Sequence, residues 1–210
     1  MPPRVLKWES GATNDRLLAQ VAEALASGGL AAFPTDTVYG VAGLFGLAGT
    51  EDRLLAAKGY GEKRPFQVLV DGMATLERLA PEMPPVAKAL AGRFWPGPLT
   101  IVTPLAGGGV IGLRWPAHEL ACAVIRAAGG ALMASSANRA GGAPARCAAE
   151  AVAALGDHLA VAIDGGDAGL GAASSVVRVT SVGWEILREE AVTRQALELA
   201  AGSPPMGEKR

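Results

Sequence analysis

The chain has 210 residues, half of them apolar, and a net charge of −1. That size suits one domain with a sizeable core, and the charge excludes a global positive field that would pull the protein onto nucleic acid. Aromatics make up only 5% of the residues, so the core must pack with small side chains, and the strong basic stripe with stacking rings that a pure RNA-binding module needs is missing.

Leu17, Val21 and Leu25 share one face of Asp15–Ala26, which predicts an amphipathic helix stopped by Gly28-Gly29. Leu30–Phe33 is a short apolar run and predicts a buried strand, ended by Pro34, which has no N–H to donate. Thr50-Glu51-Asp52 offers a cap and an acidic first turn for a helix to about Lys58. Phe66–Val70 predicts a strand, Asp71 a cap for a helix through Leu79, and Pro85–Phe94 a helix broken by Trp95-Pro96-Gly97-Pro98. Leu99–Thr103 and Val110–Arg114 predict strands around a Gly107-Gly108-Gly109 turn. Then come a helix at Glu119–Ala128, a strand at Ala131–Ala134, a helix at Ala148–Leu155 and a strand at Ala160–Asp164. Ser174–Val179 and Trp184–Leu187 predict a hairpin, and Thr193–Ala200 a last helix.

Interleaved strands and helices predict an α/β domain over residues 1–200, with a disordered polar tail over 201–210. No stretch is apolar for long enough to span a membrane, and the N-terminus lacks a positive-then-apolar leader pattern, so a cytoplasmic protein is expected. Cys122 and Cys147 form no CxxC pair, and Cys122 reads as a structural thiol rather than a metal ligand.

Four polar or basic segments fall at predicted element ends: Pro34–Gly40, Lys58–Phe66, Ser135–Asn138 and Ser174-Ser175. Such loops gather ligands. Arg114 ends a buried strand, where an unpaired arginine is costly; it serves either a structural ion pair or an anionic substrate. No G-x-x-x-x-G-K-[ST] pattern occurs, so this is not a P-loop protein.

The order of these pieces resembles the YrdC/YciO family from about Leu30 to Arg188. Pro34–Gly40 is similar to its Pro-Thr-(Asp/Glu)-Thr-Val-Tyr-Gly, Trp95–Thr100 to Trp-Pro-Gly-Pro-Leu-Thr, and Arg114–His118 to a pattern with one residue between Arg and Pro and one between Pro and His. Ser135–Asn138 with Gly141 is similar to Ser-(Ser/Thr)-Ala-Asn-x-x-Gly. The resemblance implies a YrdC-like single α/β domain, its large twisted, mostly mixed or antiparallel sheet flanked by helices around a concave cleft. It implies a threonylcarbamoyl-AMP synthase, a nucleotidyltransferase that joins L-threonine, bicarbonate and ATP with release of pyrophosphate. The product serves tRNA modification, so threonylcarbamoyl-transferase proteins and tRNA are implied partners, and Mg²⁺ would ride on the ATP phosphates.

By resemblance, Lys58, Arg64, Ser136, Asn138 and Arg188 would hold ATP, while Thr35, Arg114 and Ser174 would hold threonine or bicarbonate. No side chain need be a nucleophile, because the substrate carboxylate is one; catalysis is positioning and electrostatics. His118 reads as a structural hydrogen bonder. The pattern departs from the family at Tyr60, where an arginine is usual, at Arg178 for an aspartate, and at Glu189-Glu190 for Pro-Gly. These departures, and the short link from Pro104 to Arg114, fit the alternative: a YciO-like paralogue with a nucleotide or double-stranded RNA-binding cleft and altered or lost synthase activity.

Overall fold

The computed structural model describes residues 2–11, 13–105 and 107–206. In chain order the elements are β1 (Arg4–Lys7), α1 (Asp15–Ala26), β2 (Leu30–Phe33), β3 (Gly40–Leu44), α2 (Thr50–Lys58), β4 (Gln67–Val70), α3 (Met73–Leu79) and α4 (Pro85–Phe94). There follow β5 (Leu99–Pro104), β6 (Val110–Arg114), α5 (Glu119–Ala127), β7 (Ala131–Ser136), α6 (Ala148–Leu155), β8 (Leu159–Asp164), β9 (Ser175–Thr180), β10 (Gly183–Arg188) and α7 (Arg194–Ala201). The ten strands form one mixed sheet in the order β1-β8-β2-β3-β7-β4-β6-β5-β9-β10. This is the flanked α/β sheet that the interleaved pattern predicts. Among the described residues no helix is long and apolar enough to cross a membrane.

Strand alternation sends successive side chains to opposite faces, and here it creates the site. Val68 and Val70 pack on one face of β4 with Leu76 of α3, Leu90 of α4 and Leu197 of α7. Leu69 packs on the other with Val21 of α1 and Val124 of α5. Helices α2 and α6 close the first face over β2, β3 and β8. On the second face α1 and α5 cover only part of the sheet. Beyond them, Gln67, Thr100, Gly112, Ala134 and Ser136 line an open cavity.

Two strands went unread in the sequence. β3 is Gly-Val-Ala-Gly-Leu, with little strand-forming content, yet it sits between β2 and β7. Its Gly43 is needed there, because an added Cβ would lie 2.7 Å from the Thr50 side chain of α2. β1 is a short edge strand paired in parallel with β8. The expected tail begins differently: α7 runs to Ala201, after which Trp184 Nε1 donates to Ser203 O (3.2 Å) and Met206 N to Trp184 O (2.6 Å). Residues 207–210 of that tail lie outside the described residues.

Candidate functional site

The cavity has a volume of about 310 Å³, and Thr37, Arg114, Ser136, Ser174, Arg178 and Arg188 all contribute to its wall. The segment between β2 and β3 forms one rim. Its Tyr39 is sealed in the core and ties this segment to the next loop, donating to Gly166 O at 2.7 Å, with burial pushing its pKa up to about 12. Thr35 Oγ1 donates to Val38 O (2.7 Å) and lies 2.8 Å from Thr37 Oγ1. Its one proton is spent on Val38, so Thr37 must be the donor between the two hydroxyls. Thr35 is therefore consumed within its own loop, and Thr37 faces the cavity in its place.

Arg114 is 2% exposed. Its Nε donates to Gly97 O (3.1 Å), Nη1 to Thr37 Oγ1 (2.9 Å) and Nη2 to Asp36 Oδ1 (2.5 Å). Burial disfavours its cation and Arg188 adds to that, while Asp36 offsets only part of the effect. The structural ion pair is thus real. A guanidinium has five N–H groups, so one on each Nη remains, the pair that grips a carboxylate in a fork. His118, just beyond, caps α5 by accepting from Ala121 N at 3.4 Å.

Lys58 does not reach solvent from the end of α2. It is 1% exposed, and its Nζ donates to Ser136 O (2.7 Å), Ser136 Oγ (3.3 Å) and Asn138 Oδ1 (3.0 Å). Desolvation pushes its pKa down to about 8. Asn138 Nδ2 in turn donates to Arg139 O (2.8 Å) and Gly142 O (2.7 Å). Lys58 and Asn138 together brace the Ser136 loop from behind, and of the three only Ser136 reaches the cavity wall.

Across the cavity Arg188 forks onto Ser174, with Nε to Ser174 O at 3.0 Å and Nη2 to the same oxygen at 2.6 Å. Nη2 also reaches Ser174 Oγ (3.3 Å), which lies 2.9 Å from Thr100 Oγ1, and Thr100 donates to Gln67 Oε1 at 2.6 Å. Among the described residues Arg188 forms no ion pair. Among the described residues, Arg114 and Arg178 of the cavity wall each pair with a carboxylate and Arg188 does not.

The departures from the family pattern also have physical settings. Tyr60 lies 6.4 Å from the Phe66 ring, and the Arg64 guanidinium sits over Tyr60 at 5.1 Å. Arg64 is thereby held on the exposed loop beside Pro65 and Phe66, which line the cavity. Arg178 pairs with Glu185 at 2.8 Å. Glu189 turns away, its carboxylate accepting from Arg194 N (2.6 Å) at the start of α7, and Glu190 is exposed and absent from the wall. Neither carboxylate lines the cavity beside Arg188.

Gln67, Thr100 and the Asp36 partnership of Arg114 were missed in the sequence. The available signal was a single polar residue at an alternate position of an apolar strand, as in Phe66-Gln67-Val68 and Leu99-Thr100-Ile101. Among the described residues no group of three or more His, Cys, Asp or Glu is placed to hold a metal ion.

The Sua5/YciO/YrdC family model, described as "Telomere recombination", matches residues 23–190. The threonylcarbamoyl-AMP synthase of Bacillus subtilis is 35% identical over 201 residues, covering 90% of this chain and 58% of the relative. A putative threonylcarbamoyl-AMP synthase of Mycobacterium tuberculosis is 34% identical, covering 90% of this chain and 91% of the relative. The chain thus spans little more than half of the first relative and nearly all of the second. The crystal structure of P. abyssi Sua5 complexed with L-threonine superposes with a TM-score of 0.88 at 28% identity, over 99% of this chain and 63% of that one. E. coli YciO shares the fold, with a TM-score of 0.82 at 19% identity over 93% of this chain and 99% of that one. The matched span holds every cavity residue named above, and the chain belongs to the Sua5/YciO/YrdC family.

Proposed function

We propose that this protein is a threonylcarbamoyl-AMP synthase. The threonine amine and bicarbonate give N-carboxythreonine and water. One carbamate oxygen then attacks the α-phosphorus of ATP. The bond from that phosphorus to the bridging oxygen breaks, and pyrophosphate leaves with the electron pair. The product is a mixed anhydride of threonylcarbamate and AMP, which a threonylcarbamoyl-transferase would pass on to tRNA.

The observation that carries this reading is Arg188, facing the same cavity as Arg114 with no carboxylate partner among the described residues. Charge moves onto pyrophosphate in the transition state, and a preorganised cation there stabilises it. Arg188 takes that role, with Arg64 on the rim and the Ser136 loop, braced by Lys58 and Asn138, holding the rest of the nucleotide. The two free Nη hydrogens of Arg114 hold the threonine carboxylate, and Ser174 faces the amino-acid side. Thr35 acts by fixing Thr37. Mg²⁺ enters with ATP and neutralises phosphate charge. The relatives named as synthases and the Sua5 structure with L-threonine support the same reading.

The test is pyrophosphate release from ATP, Mg²⁺ and bicarbonate with and without threonine. Threonine-dependent release is expected. ATP binding without release would point to a paralogue with another acceptor, and salt-sensitive RNA binding without either to a retired site.

A further inference from the structure

Gln67 lines the cavity between the two groups of polar side chains. Its register partners are Gly112 on β6 and Ala134 on β7. Arg114 is two residues beyond Gly112 and Ser136 two beyond Ala134, which is ~7 Å along each strand. β4 runs parallel to β6 and antiparallel to β7. Arg114 and Ser136 therefore lie on opposite sides of Gln67 along the strand direction. Gly112 has no side chain to block the way, so the Gln67 carboxamide crosses β6 and reaches Thr100 on β5 at 2.6 Å.

The bond from Thr100 sets which end of that amide is taken. Arg188 donates to Ser174 Oγ, Ser174 to Thr100 Oγ1, and Thr100 to Gln67 Oε1. Thr100 spends its one proton on Gln67 Oε1, so Ser174 is the donor between the Ser174 and Thr100 hydroxyls. Oε1 is thus occupied. The Nε2 group donates to none of the described residues, although Gln67 lines the cavity.

Resting on the synthase reading, we infer that Gln67 Nε2 is a catalytic donor to the carbamate oxygen that does not attack ATP. The carbamate must sit between the threonine holder and the nucleotide holder, which is where the register puts Gln67. One carbamate oxygen bonds to the α-phosphorus; the other passes from half of a carboxylate to a neutral carbonyl. A cation at that oxygen would stabilise the ground-state carboxylate more than the transition state, whereas a neutral amide binds both forms about equally and fixes their geometry.

Gln67→Glu separates this role from a structural one, because it keeps an oxygen to accept from Thr100 but puts a second oxygen where the NH₂ was. For Gln67→Glu we expect an unchanged melting temperature, unchanged ATP and threonine KM, and at least a tenfold fall in kcat over the bicarbonate KM in the pyrophosphate assay. Gln67→Leu should show the same fall if its melting temperature holds. A Gln67→Glu enzyme within twofold of the parent would overturn the inference and leave Gln67 as the anchor of Thr100. A parent protein with no threonine-dependent release would overturn the synthase reading and the inference together.

Discussion

Arg114 and Asp36 meet at 2.5 Å with side chains only 3% and 12% exposed, while the other Asp36 oxygen, Oδ2, is buried without a hydrogen-bond partner among the described residues. The pair joins the end of β6 to the loop between β2 and β3, and so closes one corner of the cavity. It neutralises the arginine in part and holds the fork in place.

Removing one member of a buried pair leaves the other charge uncompensated, at a cost of about 3–5 kcal/mol. Asp36→Ala should lower stability by that amount in urea unfolding and raise the threonine KM. Asp36→Asn should be milder, since an amide oxygen still accepts from Nη2. A loss below about 1 kcal/mol for Asp36→Ala would show that the pair is solvated in solution.

Lys58 makes the pH behaviour two-sided. Its folded pKa of about 8 lies below the ordinary 10.5. Between those values the unfolded chain keeps a proton that the folded chain has lost, so the Lys58 contribution to stability rises with pH across that window. Turnover should move the other way and fall as pH passes about 8, because the neutral amine loses the charge that braces Ser136 and Asn138. Comparing unfolding of the parent and Lys58→Met from pH 7 to 10 isolates the first effect. Lys58→Ala should abolish turnover with an unchanged far-UV spectrum; full activity would remove Lys58 from the site.

Tyr60 carries Arg64 on its ring. An exposed cation–π contact is worth about 0.5–1 kcal/mol, so Tyr60→Leu should raise the ATP KM about two- to fivefold, and Tyr60→Phe should leave it alone. Tyr60→Arg should keep or raise turnover by adding a cation at the same rim. A clear loss in Tyr60→Arg would mean that the tyrosine touches substrate itself.

Glu189 is predicted to act on stability alone. Its carboxylate accepts from Arg194 N at the start of α7, an interaction of a kind worth about 1 kcal/mol. Glu189→Ala should lose about that much in thermal or urea unfolding, with kcat and the ATP KM unchanged. A shift in the ATP KM would place the carboxylate near phosphate after all.

The elements with strong local signals were legible in the chain. The helix Asp15–Ala26, the strand Leu30–Phe33 and the helices Thr50–Lys58 and Pro85–Phe94 fall where apolar spacing, the acidic first turn and proline put them, although Gly49 and Gly72, not the expected Thr50 and Asp71, stand at the cap positions of α2 and α3. The motif order was enough to place the chain in its family, and motifs at strand ends pointed to the loops that frame the cavity. Strand β3 was not legible, because a Gly- and Ala-rich run becomes a strand only when β2 and β7 pair with it. Nor was the task of each polar atom. The resemblance pointed to Thr35, yet Thr35 is spent on its own loop and Thr37 faces the cavity. Lys58, given to ATP by resemblance, is a buried brace behind Ser136. Sequence sets which groups are present and, through periodicity, which local elements form. Which donors remain free for a ligand depends on partners 70 or more residues away, as for Thr100 with Ser174 and Arg114 with Asp36, and only the folded sheet brings those together.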